Sequence, residues 1–395
     1  MALTLKHAMA PVRTPDDLAR GRFVSGLRSF ILNDLAQDMR VAYDQRAAPA
    51  FRKAKGRLPE TSAEAHAAMR PDFAFKAYSA CRVQAQKMVW ASVKPVIARE
   101  RRAIEAVAAQ ADAGDRIAID TALPLPRNVT GIDVHLMPGG YAGDADYPLE
   151  AGAIYDQGLA IFSMGLMGEN LDDIGLSMAA CVRHAFPDFS PGAILDVGCT
   201  IGHNTLPWKH AYPAADVHAI DVASPGLLYG AARARMQQAN VHFHQMDAES
   251  IGFADGSFDL VFTSMFLHEL SKKTRAAFFR EAYRLLRPGG LLLNMELPPN
   301  TQMGAFEGFY LDWDCYYNNE PYYKGYRDEN PRDLCSAAGF ADADYLQFVV
   351  PSIGIYGEDS IKQAVQADAH DVGNDTTGRL AEGVKWFCFG AWKPA

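Results

Sequence analysis

Apolar residues recur at helical spacing through the first third of this chain and gather into short unbroken runs after residue 190. The pattern predicts helices first and buried strands later. Thr14-Pro15-Asp16-Asp17 places a cap residue, a proline and two acids at a helix start, and Phe23, Leu27, Ile31 and Leu35 follow at helical spacing. A second helical region is expected from Ser62 to Ala113, carrying Met69, Phe73, Phe75, Tyr78, Val83, Met88, Val89 and Val93, with interruptions at Pro71 and Pro95. Between Asp120 and Ala153 the pattern changes. Pro124, Pro126, Val134-His135-Leu136-Met137 and Pro138-Gly139-Gly140-Tyr141 predict a linker or a short strand pair. Residues Ala153 to Ala180 return to helical spacing; Tyr155 and Asp156 within them either reach back towards a ligand or face the core.

From Ala193 onward strand and helix signals alternate, which predicts a parallel sheet with helices on both faces. Strands are expected at 193–197, 217–221, 241–246, 258–264 and 291–296, an amphipathic helix at 271–287, and a tight turn at Pro288-Gly289-Gly290. The run Phe258 to Ser264 is almost continuously apolar, as in a strand buried on both faces. The chain is organised around AILDVGCTIGHNT, residues 193–205. There an apolar run meets Asp196, then Gly198 and Gly202, then a helical segment. Such a turn brings backbone N–H groups close to a ligand at a helix N-terminus.

Composition narrows the field. The chain has 395 residues, 49% hydrophobic and 22% charged, enough for a full core in one large or two medium domains. Its net charge of −9 is spread out, without a basic run that would track a phosphate backbone, so no nucleic-acid partner is expected. The opening residues lack the apolar stretch of a signal peptide and no later run approaches a membrane span, so the expectation is a cytoplasmic protein without a membrane partner. Six cysteines show no CxxC pairing and no histidines at ligand spacing; reduced thiols and no metal are expected.

The strand ends carry the chemistry. Asp221 lies 25 positions beyond Asp196, where a carboxylate in a doubly wound fold accepts both hydroxyls of a ribose. Asp247 suits an adenine amino group, with the next backbone N–H donating to the ring. A GK[ST] phosphate loop is absent, which argues against ATP. Gly198, Thr200 and His203 do not supply the G-x-G-x-x-G of a nicotinamide dehydrogenase.

The ordered series DVGCTIG, HAIDV, QMDAES, FDLVFTSMFLHEL and RLLRPGGLLLNME resembles the class I S-adenosylmethionine-dependent methyltransferases of small-molecule type. The resemblance covers roughly 180–395. It implies an α/β fold, a Rossmann-like seven-stranded and mostly parallel sheet, with Tyr345 to Val350 as sixth strand and Lys385 to Trp392 as the antiparallel last one. It implies a catalytic domain over 151–395 with an aromatic lid at 303–328, while the helical spacing before it predicts a mainly helical N-terminal domain over 1–150, serving as lid or dimerisation surface. The cofactor is then S-adenosylmethionine. Asp196 meets its methionine amino group, Gly198, Cys199 and Gly202 line the methionine moiety, Asp221 holds the ribose, Asp247 and Ala248 frame the adenine, and Val222 and Ser264 are further cofactor-binding residues. Thr200 departs from the pattern, which often has glycine there; its Cβ narrows the turn and its hydroxyl offers a bond to the ligand.

His268, in Phe266-Leu267-His268-Glu269-Leu270 after the fourth strand, resembles the histidine of the LHD-type motif in aromatic O-methyltransferases. It reads either as a base that removes a proton from a hydroxyl, since histidine titrates near neutrality, or as a residue that packs the following helix. Residues 304–327 are rich in rings, among them Tyr310, Trp313, Tyr316, Tyr317, Tyr322 and Tyr326, interleaved with acids. With Tyr155 they are expected to wall the acceptor pocket and exclude water, or to pack against the N-terminal helices. The expected activity is methyl transfer to a small-molecule hydroxyl. S-methylation of a thiol, N-methylation of an amine, and a non-catalytic S-adenosylmethionine-binding protein are the alternatives, and a homodimer is expected.

Overall fold

The computed structural model describes residues 3–111, 114–143, 146–367 and 383–394. Ala113 and Ala395, the expected ends of the second helical region and of the catalytic domain, lie outside the described residues. The centre is a sheet of strands β1 (Ile117–Ala118), β2 (Ala193–Val197), β3 (Asp216–Asp221), β4 (Val241–Gln245), β5 (Phe258–Ser264), β6 (Leu286–Glu296), β7 (Tyr345–Pro351) and β8 (Lys385–Trp392). Their order is β1-β4-β3-β2-β5-β6-β8-β7. β2 pairs in parallel with β3 and β5, whereas β8 runs antiparallel to both β6 and β7. Strands β2 to β8 are the seven expected. The two-residue β1 is an addition on the β4 edge, pairing Ile117 with Phe243. The expected turn at Pro288-Gly289-Gly290 falls within β6, because Gly289 N–H donates to Lys393 O and Lys393 N–H to Gly290 O, each at 2.8 Å.

Side chains on β2 alternate between two apolar layers. Ile194 packs with Val217 and Phe262 beneath the helices Asp173–Ala185 and Ser224–Met236; Leu195 packs with Ile220 and Val261 over the helix Lys272–Leu285. With both faces of the central strands covered, their carboxyl ends are left as the place where the sheet meets open space.

Thr14 caps the first helix, Pro15–Phe30, in a reciprocal box with Asp17. Of the expected stripe, Ile31 is buried and Leu27 and Leu35 pack beside it, but Phe23 points outward. Phe23 is 63% exposed, while Gly21, Val24, Ser25 and Arg28 are buried. The helix turns its small and polar residues inward because that side faces a cavity as well as a core. Pro71 separates the helices Ser62–Met69 and Phe73–Ala111, as expected, but Pro95 lies inside the second without ending it. A mid-helix proline costs about 3 kcal/mol. Burial of Val89, Trp90, Val93 and Ile97 against Ile154 and Ile161 outweighs this at about 2 kcal/mol per side chain. The proline-rich segment forms short helical turns at Arg127–Thr130 and Val134–Leu136 instead of a strand pair. The expected helix over 153–180 is two helices, Glu150–Phe162 and Asp173–Ala185, divided where Met164 and Leu171 take left-handed backbones. Glu150–Phe162 packs against both Phe73–Ala111 and Ser224–Met236, so the N-terminal helices and the sheet share a continuous interior.

Candidate active site

A cavity of about 970 Å³ opens at the carboxyl ends of the central strands. Its floor is the β2 turn and the ends of β3 to β6; its walls come from the first helix, from residues 126–141 and from residues 314–323. Open α/β sheets place ligands at this position because the chain reverses direction there and leaves a crevice.

On one side stand two carboxylates, Asp196 buried and Asp221 half-buried. Asp221 accepts the Thr200 N–H on Oδ2 and the Ala223 N–H on Oδ1, both at 2.9 Å, which pins the glycine turn to β3. Each oxygen keeps a lone pair for a ribose hydroxyl. Asp196 accepts the Thr205 hydroxyl, and burial pushes its carboxyl up to about 7. Burial also raises Asp221, against the pull of its backbone donors. Carboxylates held up in this way are stabilised by an incoming cation. Thr200 takes a left-handed backbone, φ 51°, where the pattern often has glycine; its N–H bond to Asp221 holds it there. Gly226 and Gly230 let the helix Ser224–Met236 rest directly on this turn, since a Cβ would stand 2.7 Å from Thr200 O and 2.8 Å from Ile201 O.

Gly198 has φ 77°, and a Cβ there would lie 2.1 Å from the Phe266 ring. The turn and the segment leading to His268 are thus in van der Waals contact. Gly198→Ala is expected to cost about 2 kcal/mol of stability, since both the ring and the backbone must shift. Urea denaturation checks this.

The opposite side is a histidine–carboxylate array. Glu296, at the end of β6, presents both oxygens to His268 Nδ1, at 3.0 and 2.9 Å, and accepts the N–H groups of His268 and Leu297. Burial disfavours the imidazolium, but Glu296, then Glu269 and Glu320, outweigh it and hold His268 at about 9. Its Nε2 lies 3.9 Å from Glu320 Oε2, and the Tyr323 ring meets it edge-on at 5.2 Å. His135 continues the array. Its Nδ1 is 2.9 Å from Glu320 Oε1, and its Nε2 is 3.0 Å from Tyr141 OH and 3.1 Å from Glu269 Oε1. Burial opposes charge on His135, yet Glu320 and Glu269 raise it well above the ordinary imidazole range.

Of the residues singled out in the sequence, Asp196, Gly198, Cys199, Thr200, Asp221, Val222, Asp247, Ala248, Ser264 and His268 line the cavity, together with Tyr155 and Tyr322. Gly202 does not. It lies behind the turn, where a Cβ would strike the Phe243 ring at 2.8 Å. Most of the aromatic segment faces away as well. Tyr310 packs on Tyr78 and donates to Leu32 O; Trp313 lies under the Arg82 guanidinium and donates to Ser79 Oγ. Tyr316 and Tyr317 gather around His66, and Tyr326 is buried, donating to Leu297 O. Tyr310, Trp313, Tyr316 and Tyr317 are the packing face against the helices Ser62–Met69 and Phe73–Ala111, whereas Tyr326 packs into the layer of Leu297 and Phe278. The acids between them, Asp314 and Glu320, turn into the cavity. Asp156 is buried with His7 and Tyr229, facing the interior.

Glu296, Glu320, His135 and Tyr141 were not singled out as site residues. Glu296 ends an expected strand, the same position that marks Asp221, so its signal was present. His135 carries no local signal.

Residues 194–290 match the family model described as a methyltransferase domain. The chain is 34% identical over 117 residues to a demethylmenaquinone methyltransferase of Thermus thermophilus, covering 30% of this chain and 52% of that one. It is 33% identical over 132 residues to a malonyl-[acyl-carrier protein] O-methyltransferase of Dechloromonas aromatica, covering 33% and 47%. The chain thus spans about half the length of these relatives. A solved Haemonchus contortus phosphoethanolamine N-methyltransferase 2 in complex with S-adenosyl-L-methionine shares 19% identity over 60% of this chain and 57% of that one, at a TM-score of 0.41. The glycine turn on Asp221 and the carboxylates beside it fall within residues 194–290, so the stretch of the chain that is similar to a methyltransferase domain is the one that floors the cavity.

Proposed function

We propose that this protein methylates a hydroxyl oxygen of a small molecule held in the cavity, with His268 as the base. The observation that supports this reading is the clamp on His268 Nδ1 by both oxygens of Glu296, which leaves Nε2 directed at the space before Glu320. A carboxylate on one ring nitrogen fixes the tautomer and strengthens the other nitrogen as a proton acceptor. S-adenosylmethionine supplies an electrophilic methyl group on a sulfonium. Asp196, Gly198, Cys199, Thr200, Asp221, Val222, Asp247, Ala248 and Ser264 hold it on the sheet side, while His268 and Glu320 face the acceptor. The residues before 150 and the segment 303–328 close the cavity over both, excluding water from the reacting groups. Tyr155 and Tyr322 contact the acceptor. The carboxylates that would attract an amine cation are each engaged, Glu320 and Glu269 by His135 and Asp314 by Arg82. A neutral hydroxyl is the better fit.

The test is transfer of labelled methyl from S-adenosylmethionine to panels of phenols, aliphatic alcohols, thiols and amines. Labelling confined to thiols or amines would overturn the reading. The pH profile carries a second expectation. Below about 9 His268 is mostly protonated and only its neutral form accepts a proton, so kcat/KM is expected to climb as pH rises and to level off above about 9. A rate that instead falls through that range would assign the step to the imidazolium.

A further inference from the structure

Glu320 has no support from the sheet. It lies in the loop between the helices Trp313–Tyr317 and Tyr323–Arg327, yet its Oε2 stands 3.9 Å from His268 Nε2. A hydroxyl group fits that span, accepting from Nε2–H of the protonated imidazole while it donates to Oε2, and turning its one hydrogen to Nε2 when the imidazole is neutral. Two groups fix the carboxylate. Asn318 Nδ2 donates to Oε1 at 2.7 Å, and His135 Nδ1 meets the same oxygen at 2.9 Å. On its far side His135 is bonded to Tyr141 and Glu269, so the imidazole bridges the loop to the segment that carries His268.

The backbone beneath this imidazole is unusual. His135 and Leu136 both have φ 56°, two successive non-glycine residues in the left-handed region. The His135 carbonyl accepts Gln86 Nε2 at 2.9 Å and Trp90 Nε1 at 2.8 Å, both from the helix Phe73–Ala111. A strained conformation persists only where its surroundings over-determine it, and such conformations cluster at functional sites. Here two side chains of an N-terminal helix impose the strain, and its result is to deliver the ring between two carboxylates.

We propose that His135 is a positioning residue for the methyl acceptor: it holds Glu320 opposite His268, so that the seat for the acceptor hydroxyl is built jointly by the sheet, the 314–323 segment and the N-terminal helices. This rests on the reading of His268 Nε2 as the face that meets the acceptor. It also gives the N-terminal part of the chain a defined place in the site.

The test uses the full chain, labelled with ¹⁵N-histidine and saturated with S-adenosylhomocysteine, comparing His135→Asn, Glu320→Gln and the double variant. Asparagine tolerates the left-handed backbone and leaves the carbonyl anchor in place; His135→Gln serves if His135→Asn does not fold. The His268 ring signals, identified by their loss in His268→Gln, are expected to move by the same amount in all three variants, with S-adenosylhomocysteine affinity within twofold. Methyl transfer to catechol is expected to show KM raised at least tenfold by either single substitution and no further by the double. His268 signals that shift in Glu320→Gln but stay at their wild-type positions in His135→Asn would overturn the proposal. So would penalties that add, or a loss of S-adenosylhomocysteine affinity on replacing His135. The spectra decide the role of His135 even if the wild-type protein methylates no hydroxyl, an outcome that would fall on the function reading alone.

Discussion

His268→Gln is expected to lower methyl transfer to a hydroxyl about 10³-fold while S-adenosylmethionine affinity stays within twofold, because the loss of a positioned base costs about 10² to 10⁴. Glutamine is the informative replacement. His268 is buried and its imidazole offsets the Glu296 carboxylate, so alanine would leave a buried charge facing only two backbone N–H groups. Breaking a buried pair on one side costs about 3 to 5 kcal/mol, and a fall in activity would then be confounded with a fall in folded protein. The glutamine amide still donates towards Glu296 but cannot take up a proton. Rates and calorimetric affinity measured on the same preparation separate the two effects. Activity within tenfold of wild type would demote His268 to a packing residue. Glu296→Gln is the companion, expected to shift the rising limb of the pH profile towards lower pH, since Glu296 is the largest influence holding the imidazolium.

The second large effect concerns the cofactor. Asp221→Ala is expected to weaken S-adenosylmethionine and S-adenosylhomocysteine binding about 100-fold. In the proposed function the carboxylate offers oxygens to a ribose, and it also accepts the N–H groups of Thr200 and Ala223 and so holds a turn that contains a strained residue. Leaving a buried donor unpaired costs about 1 to 3 kcal/mol, and about 2.8 kcal/mol in total corresponds to a factor of 100 in affinity. Asp221→Asn retains one acceptor oxygen and is expected to fall between the two. Calorimetric titration checks both, and a variant that binds within threefold of wild type would move the ribose away from this strand end.

How much of this was legible in the sequence follows from the range of the forces involved. Asp196, Asp221 and Asp247 stand at or just past the ends of strands whose apolar runs are local, and a strand end in a doubly wound sheet faces the crevice whatever the rest of the chain does. The aromatic segment shows the opposite case. Its rings are spaced as a helical face, and a face that rich in rings is equally suited to wall a pocket or to fill a core. Ring composition could not tell which, because the answer depends on the helix Phe73–Ala111, more than two hundred residues away in sequence. Once Tyr310 and Trp313 are buried there, the acids that follow them, Asp314 and Glu320, face the cavity. Phe23 failed for a related reason. Helical spacing reports which residues share a face but not what lies opposite, and a helix that borders a cavity turns small and polar groups towards it.

The sequence by itself determined the strand series, the glycine turn and the carboxylates at the strand ends that line one side of the cavity, because each rests on contacts between residues close along the chain or on the fixed twist and order of parallel strands. Only the tertiary structure decided the histidine–carboxylate array on the opposite side. His135, Glu269, Glu296 and Glu320 come from four separate segments, and the bonds that make them one array form only when the N-terminal helices close on the sheet. Hydrogen bonds act within about 3 Å and carry no trace along the chain of the partner they will find.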